Sequence, residues 1–552
     1  MPTPTRSGAC ALPMPGRLTH AARWSLALRI GERAGLLALA LSVASPAFAL
    51  TSLDGPATLN QAGETYVLTQ DISAPGTAFT IAASDVILDL GGHTVAYNTA
   101  PSSVPVYGVY VNVLRSRVTV RNGTLLQGAG GSARSPAVFI YGGTATGGHE
   151  LHHLVIGVRG DQTHGIDAGF AGYTFNNSKI HHSYVQVTGG VPADCSSGGP
   201  AGISLQASAS GGAQVHDNIV VESHVGISAA GVGSESGSNP SRIHRNLIQH
   251  RRRAGCKGPY GIGVQGISHG VEVDANQIVS DDGRGIIVAG WGQGSAAGAS
   301  GNSVHDNRID VGYSTLATGG FYPENSVYGI RDRYHAGDNR FENNVVLVTN
   351  DVTDPGNDHV RGFYIGSDAS DADMRGIVAR GNTVFARRGQ GSGTIRAFHF
   401  DYADEVTIDA NRYLTAGEVR NTGNVTALTF TNNAPLDVLA SSALAAPTGL
   451  AVARCLNSYV LTWNTNPEAD VFEYAVYRDG AKLPISPRGG TFYVDVGAAL
   501  PGPHSYAVSA LALSGLGGPR SAEASTAAAG VCLGAIVSDT TPPAAPSNLM
   551  VQ

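Results

Sequence analysis

The chain has 552 residues, of which only 14% are Asp, Glu, Lys or Arg, and its formal net charge is −7; ordinary globular proteins carry about a quarter charged residues. Lys179, Lys257 and Lys482 are the only lysines, so Arg supplies nearly all the positive charge. An acidic balance without a basic tract interleaved with aromatics argues against a nucleic-acid partner, and the length suits two or more domains or one elongated repeat array.

The first element in chain order is an export signal over residues 1–49. Arg17, Arg23, Arg29 and Arg33 precede the apolar run GLLALALSVASPAFA, which ends in the small-x-small site Ala47-Phe48-Ala49. The run is too short to span a bilayer, and no later segment is apolar enough to do so. The mature protein is therefore expected to be secreted, periplasmic or at the cell surface, and monomeric. Cleavage removes Cys10. Cys195, Cys256, Cys455 and Cys532 remain, which an oxidising compartment would join locally as two disulfides, one in each half of the chain.

Residues 50–440 read as a repeat domain. Two phrases alternate from about residue 80 to 432. The first is VHDN-like: QVHDN ending at Asn218, RIHRN at Asn246, EVDAN at Asn276, SVHDN at Asn307 and TIDAN at Asn411, with looser copies ending at Asn344 and Asn382. The second is a Gly-apolar-x-apolar strand: GVYV, GISL, GISA, GIGV, GIIV, GIRD and GFYI. Short period-2 strands with no amphipathic helix between them predict a solenoid of parallel strands. The expected fold is all-β: a right-handed parallel β-helix of about eleven coils, its apolar positions inside. The Asn ending each VHDN phrase is expected to take the left-handed turn and stack in a ladder. The order Asn turn, variable loop, G-[IVF]-x-apolar strand, second variable loop resembles the pectate-lyase-like superfamily of secreted β-helix proteins. That resemblance implies a carbohydrate-active protein. The RxPxxR segment of true pectate lyases and the DPH motif of alginate epimerases are absent.

Residues 446–533 change character. APTGLAVARC, YVLTWNTNPEADVFEYAVYRDG and PHSYAVSAL resemble a fibronectin type III β-sandwich, with Trp463 as its core tryptophan and Cys455 and Cys532 near its first and last strands. Residues 534–552 read as a Pro-rich linker and the first strand of a second such module, broken off.

Strand alternation turns the third position of each Gly-apolar-x-apolar phrase toward solvent. Coil by coil it carries Tyr110, Phe139, Asp167, Ser204, Ser228, Gly263, Ile287, Arg331, Tyr364, His399 and Thr429. Coils stack about 4.8 Å apart, so Arg331, Tyr364 and His399 would form one exposed column spanning about two sugar rings. Tyr260, Arg284, Tyr328, Arg361 and Arg396 precede the strand glycines or their Ala equivalent, and Arg333 and Asp401 lie two positions beyond the column. An Arg-rich groove on an acidic protein suits an anionic ligand. The leading expectation is a polysaccharide lyase acting on a uronic-acid polymer by β-elimination. Arg331 or Arg361 would neutralise the carboxylate, and Tyr364 and His399 would exchange protons. The fibronectin module would then be a spacer or anchor. The alternatives are a glycoside hydrolase using Asp401 with Asp368 or Asp332, and a non-catalytic adhesin or carbohydrate-binding protein. Asp332 itself falls at an inward position.

Two further clusters suggest metals. Asp368, Asp371 and Asp373 form an oxygen-rich loop that would suit Ca²⁺. Two residues before each ladder Asn run His152, His181, His216, His244, Asp274, His305, Glu342, Arg380 and Asp409. A stacked imidazole row on the outer face accounts for these without a cofactor.

Overall fold

The computed structural model describes residues 50–532 except 131–133, 143–146, 161–162, 170–174, 189–198, 234–238, 252–258, 282, 291–297, 314–326, 335–336, 351–358, 367–373, 389–392, 437–442, 469–470, 484–488 and 497–502. The export signal, Cys195, Cys256, Asp368, Asp371 and Asp373 fall outside these residues. No described helix is long and apolar enough to cross a membrane.

The repeat region is a parallel β-helix. One sheet contains thirteen parallel strands in chain order, from Ala57–Leu59 to Glu418–Thr422. Two more ladders, joined through the strands Thr119–Gln127 and Glu150–Val158, form a 25-stranded sheet that bends around a corner. The first two strands of the thirteen, Ala57–Leu59 and Phe79–Ile81, precede the Gly-apolar-x-apolar phrases, so the solenoid begins two coils before the repeat becomes visible. A single apolar core runs through it, from Leu53 to Ile408. Each fully buried Val, Ile or Phe in that core contributes on the order of 1.5–3 kcal/mol.

The glycine of the second phrase has a steric cause. A Cβ on Gly329 would lie 2.1 Å from Val346 Cγ1, and one on Gly285 2.2 Å from Ile309 Cγ2, both on the opposing ladder. The backbone comes so close to the core there that only hydrogen fits. Because that glycine also faces inward, the residue before it, such as Tyr328, shares the outward face with the phrase's third position.

The corner between the two flanking ladders departs from expectation by one residue. The left-handed conformation belongs to the residue before the ladder Asn: Asp217 (φ 55°), Arg245 (53°), Ala275 (54°), Asp306 (55°), Asn343 (56°) and Ala410 (54°). The Asn that follows turns into the core. Each Asn Nδ2 donates to the next Asn Oδ1, from Asn218 through Asn246, Asn276, Asn307, Asn344, Asn382 and Asn411 to Asn433, at 2.9–3.0 Å. The same side chains also donate to backbone carbonyls left over at the bend, as Asn307 does to Val273. Buried peptide groups require partners, and this ladder supplies them without water.

The C-terminal module is a sandwich of two sheets, antiparallel except where Gly530–Val531 pairs in parallel with Ala451–Cys455. Trp463 packs edge-on to Tyr474 at 5.4 Å in its core, and Cys455 is bonded to Cys532. The module is not a spacer. It lies along the side of the β-helix, over an apolar seam in which Tyr184, Ile219, Val221 and Val279 meet Cys455, Val460, Phe492 and Val494. Gln249 clasps the backbone of Val494 from both sides, Nε2 donating to its oxygen at 2.7 Å and Oε1 accepting from its nitrogen at 2.9 Å. Gln277 accepts from Thr491 N at 2.9 Å. The signal was present in the sequence: strands such as Ile219–Val221 are apolar on both faces, which a solvent-facing flank would not need.

Candidate functional site

Strand register brings the predicted column together. Arg331 pairs with Tyr364 and Tyr364 with His399, one coil at a time. The neighbouring column is also in register: Tyr260, Arg284, Tyr328, Arg361 and Arg396, in that order, followed by Glu418. One assignment fails. The coil after His399 aligns Asn421 with it, whereas Thr429 belongs to another ladder, paired with Thr407. The chain there leaves the repeat phrase, so reading the pattern onward lands on the wrong face.

The columns are packed rather than open, which corrects the expectation of an exposed groove floor. Arg331 is 1% exposed, Tyr328 0%, Tyr364 7%, Arg361 9% and His399 6%. Strand parity sets the direction of a side chain but not what covers it. Here the outward groups pack against one another. The Arg331 guanidinium sits 5.1 Å from the Tyr328 ring centre and 5.2 Å from that of Tyr364. Arg361 lies 4.2 Å over the Tyr364 ring, whose other neighbours are Tyr328 at 5.2 Å and His399 at 4.7 Å, both stacked. Cation–π contacts of this kind strengthen when desolvated. Arg331 is thus a buried cation rather than an exposed member of the column. The partly exposed members are Tyr260, Arg284, Arg333, Arg396 and Asp401.

His399 has the most distinctive electrostatics of the column. Burial, then the positive charges of Arg361 and Arg396, hold its pKa down to about 3. It is therefore an uncharged imidazole at neutral pH, an acceptor rather than a cation. Arg396 bonds Glu418 at 2.7 Å. Asp332, at its inward position, is fully buried and accepts from Asn339 Nδ2 at 3.1 Å. Asp401 accepts from Asn424 at 2.7 Å. Asp332, fully buried, faces no open cleft as a hydrolase carboxylate would, and Asp368, the other candidate partner of Asp401, lies outside the described residues. Asp404, three residues on from Asp401, accepts from Thr426 and from Glu405 N.

A cleft of about 290 Å³ lies elsewhere, between the β-helix and the sandwich, lined by Leu347, Phe385, Leu414 and Phe472. Its charged lining residues, Arg387 and Glu473, are bonded to each other. It is an apolar seam of the docked module, with less chemistry to offer than the Arg–Tyr–His columns.

The histidine row is present as expected, with ring centres of His152, His181, His216 and His244 at 5.1, 4.8 and 4.9 Å. Burial is the largest influence on His181 and on His244, and holds each at about 4, so these two rings are uncharged at neutral pH. Sequence reading missed the second row beside it, at the left-handed corner position: His153 and His182, stacked at 5.3 Å, then Asp217. The doublets His152-His153 and His181-His182 were its visible signal.

No family model matches the sequence, and no curated protein matches it. Among solved structures, an Fn3-like protein from Clostridium thermocellum is 35% identical over 15% of this chain and 92% of its own, with a TM-score of 0.14. The A-module of the mannuronan C-5 epimerase AlgE6 of Azotobacter vinelandii is 13% identical, covering 68% of this chain and 91% of its own, at a TM-score of 0.32. A tailspike protein of E. coli bacteriophage HK620 is 12% identical, covering 85% of each chain, at 0.21. At such scores the fold rests on the chain's own strand ladders, and each likeness is a similarity only.

Proposed function

We propose that this is a carbohydrate-active protein that cleaves an anionic, uronic-acid polysaccharide by β-elimination. The observation that carries the reading is the register of two outward columns. Arg361 and Arg396 flank a neutral His399, which stacks on Tyr364. Elimination needs the sugar carboxylate neutralised, the proton beside it removed and the leaving oxygen protonated. Arg361 and Arg396 take the carboxylate. His399 removes the α-proton; the electron pair forms the new carbon–carbon double bond, the glycosidic carbon–oxygen bond breaks, and Tyr364 protonates the departing oxygen. Burial is the larger cause of the depressed basicity of His399; a bound carboxylate offsets the part that comes from the two guanidinium charges, so basicity rises when substrate arrives. Arg331 holds Tyr364 from the far side.

The test is incubation of the mature protein with pectate, alginate and glycosaminoglycans, with and without Ca²⁺, followed by the ultraviolet absorbance of unsaturated uronates. New reducing ends without that absorbance would mean hydrolysis instead. The binding-protein reading has one observation in its favour: Tyr107, Tyr110 and Phe139, half-buried and stacked at 5.0–6.0 Å, make an aromatic platform at the other end of the same sheet. Saturable binding without cleavage would select it.

A further inference from the structure

The double row at the corner between the flanking ladders lies on a different sheet from the Arg–Tyr–His columns and has no part in the reaction above. Neighbouring residues on a strand normally point to opposite faces. The left-handed conformations of His153 (φ 54°), His182 (50°) and Asp217 (55°) bring each to the same side as the residue before it. The result is three rungs of paired donors. His152 Nδ1 faces His153 Nδ1 at 2.7 Å, His181 Nδ1 faces His182 Nδ1 at 2.8 Å, and His216 Nδ1 faces Asp217 Oδ2 at 2.7 Å. The two rings of a histidine rung are nearly perpendicular, at 84° and 85°, so their Nδ1 atoms converge on one point rather than stack past each other.

Proton placement favours a ligand there. His181 Nε2 is 3.1 Å from Glu150 Oε1. A carboxylate only accepts, so Nε2 carries the proton and Nδ1 presents its lone pair toward His182. A carboxylate holding the far nitrogen of a histidine is the usual support of a metal ligand. The ligand atoms of His182 and, one coil on, of His216 and Asp217 lie within 4.8 Å of one another, and Arg245 holds Asp217 in place through bonds of 2.8 and 2.7 Å. Two nitrogens bound at about 2.0–2.1 Å with angles between square and tetrahedral stand roughly 2.9–3.4 Å apart. Each rung needs to open by only a few tenths of an ångström.

We propose that this double row binds a divalent transition-metal ion of the Zn²⁺ or Cu²⁺ class, with His181 and His182 chelating through Nδ1 and His216 and Asp217 completing the shell. Imidazole nitrogen with a single carboxylate suits these ions and not Ca²⁺ or Mg²⁺.

The experiment uses the untagged mature protein, stripped with chelator and titrated calorimetrically with ZnCl₂, with CaCl₂ and MgCl₂ as controls. Metal content is measured after dialysis, and Cu²⁺ is followed by electron paramagnetic resonance. The expected result is Zn²⁺ binding, absent for Ca²⁺ and Mg²⁺, with nitrogen hyperfine structure on the Cu²⁺ signal. His182→Asn keeps a residue that tolerates the left-handed backbone. Combined with His181→Gln it should abolish binding while circular dichroism stays native, and His504→Gln, in the sandwich beside Asp479, should change nothing. Glu150→Gln retains every imidazole and should weaken binding 10–100-fold. No retained metal in the wild type, or unchanged binding in the folded double variant, overturns the proposal. In that case each rung is held by one shared proton.

Discussion

Asn307→Ala is the sharpest test of how the solenoid is held together. Asn307 is 1% exposed. Its Oδ1 accepts from Asn276 N at 3.0 Å and from Asn276 Nδ2 at 2.9 Å, and its Nδ2 donates to Val273 O at 2.8 Å. Alanine keeps the backbone and deletes the amide, leaving Asn276 N and Val273 O without that partner, while Asn276 Nδ2 keeps its bond to Ile243 O. Each of the two costs about 1–3 kcal/mol, so the loss is roughly 2–6 kcal/mol, a large share of the stability of an ordinary domain. The assay is guanidinium denaturation followed by circular dichroism, with Asp306→Gly beside it as a control. Asp306 has φ 55°, which glycine adopts freely, so the control should stay within about 1 kcal/mol of wild type. A loss below about 1 kcal/mol for Asn307→Ala would mean that water takes over the amide's bonds and that the ladder is not a principal support.

Gly329→Ala should destabilise by more than the few tenths typical of a surface change, because its Cβ meets Val346 Cγ1 at 2.1 Å; an unchanged midpoint in the same titration would contradict the pinched-core explanation. Acid should weaken the fold before carboxylates titrate. The folded values of His149 and His244, about 4, and of His250, about 3, lie below the unfolded 6.5. Their stabilisation is therefore whole above pH 6.5 and is lost as pH falls toward 4, by about 1.4 kcal/mol per unit for a fully buried group; a flat profile between pH 7 and 4.5 would refute this. Gln249→Ala removes both bonds to Val494 and should speed hydrogen exchange in the strand Phe492–Val496 without disturbing Val327–Arg333. Equal exchange in both forms would mean that the apolar seam alone docks the sandwich.

The sequence carried the fold well because the two phrases report two physical demands, a glycine where sheets nearly touch and an asparagine where the bend leaves carbonyls unpaired. The alignment of Arg331, Tyr364 and His399 was legible for the same reason, since phrase position is register. What failed had no local signal or was read one residue off. Arg331 is buried although its strand position points outward, and parity carries no information about cover. The left-handed turn sits at Asp217 rather than Asn218, because the Asn side chain is needed inside. The lateral seat of the sandwich was readable in two-faced strands such as Ile219–Val221, but these pass for ordinary core until the outer face is counted.

The central claim is tested most directly by the absorbance of unsaturated products from a polyuronate, comparing wild type with His399→Ala and Arg361→Ala, each shown to be folded. The account predicts absorbance growth in the wild type and a fall in kcat of at least about a hundredfold in His399→Ala, the scale of a lost general base. Wild-type absorbance that survives both substitutions undiminished would contradict it.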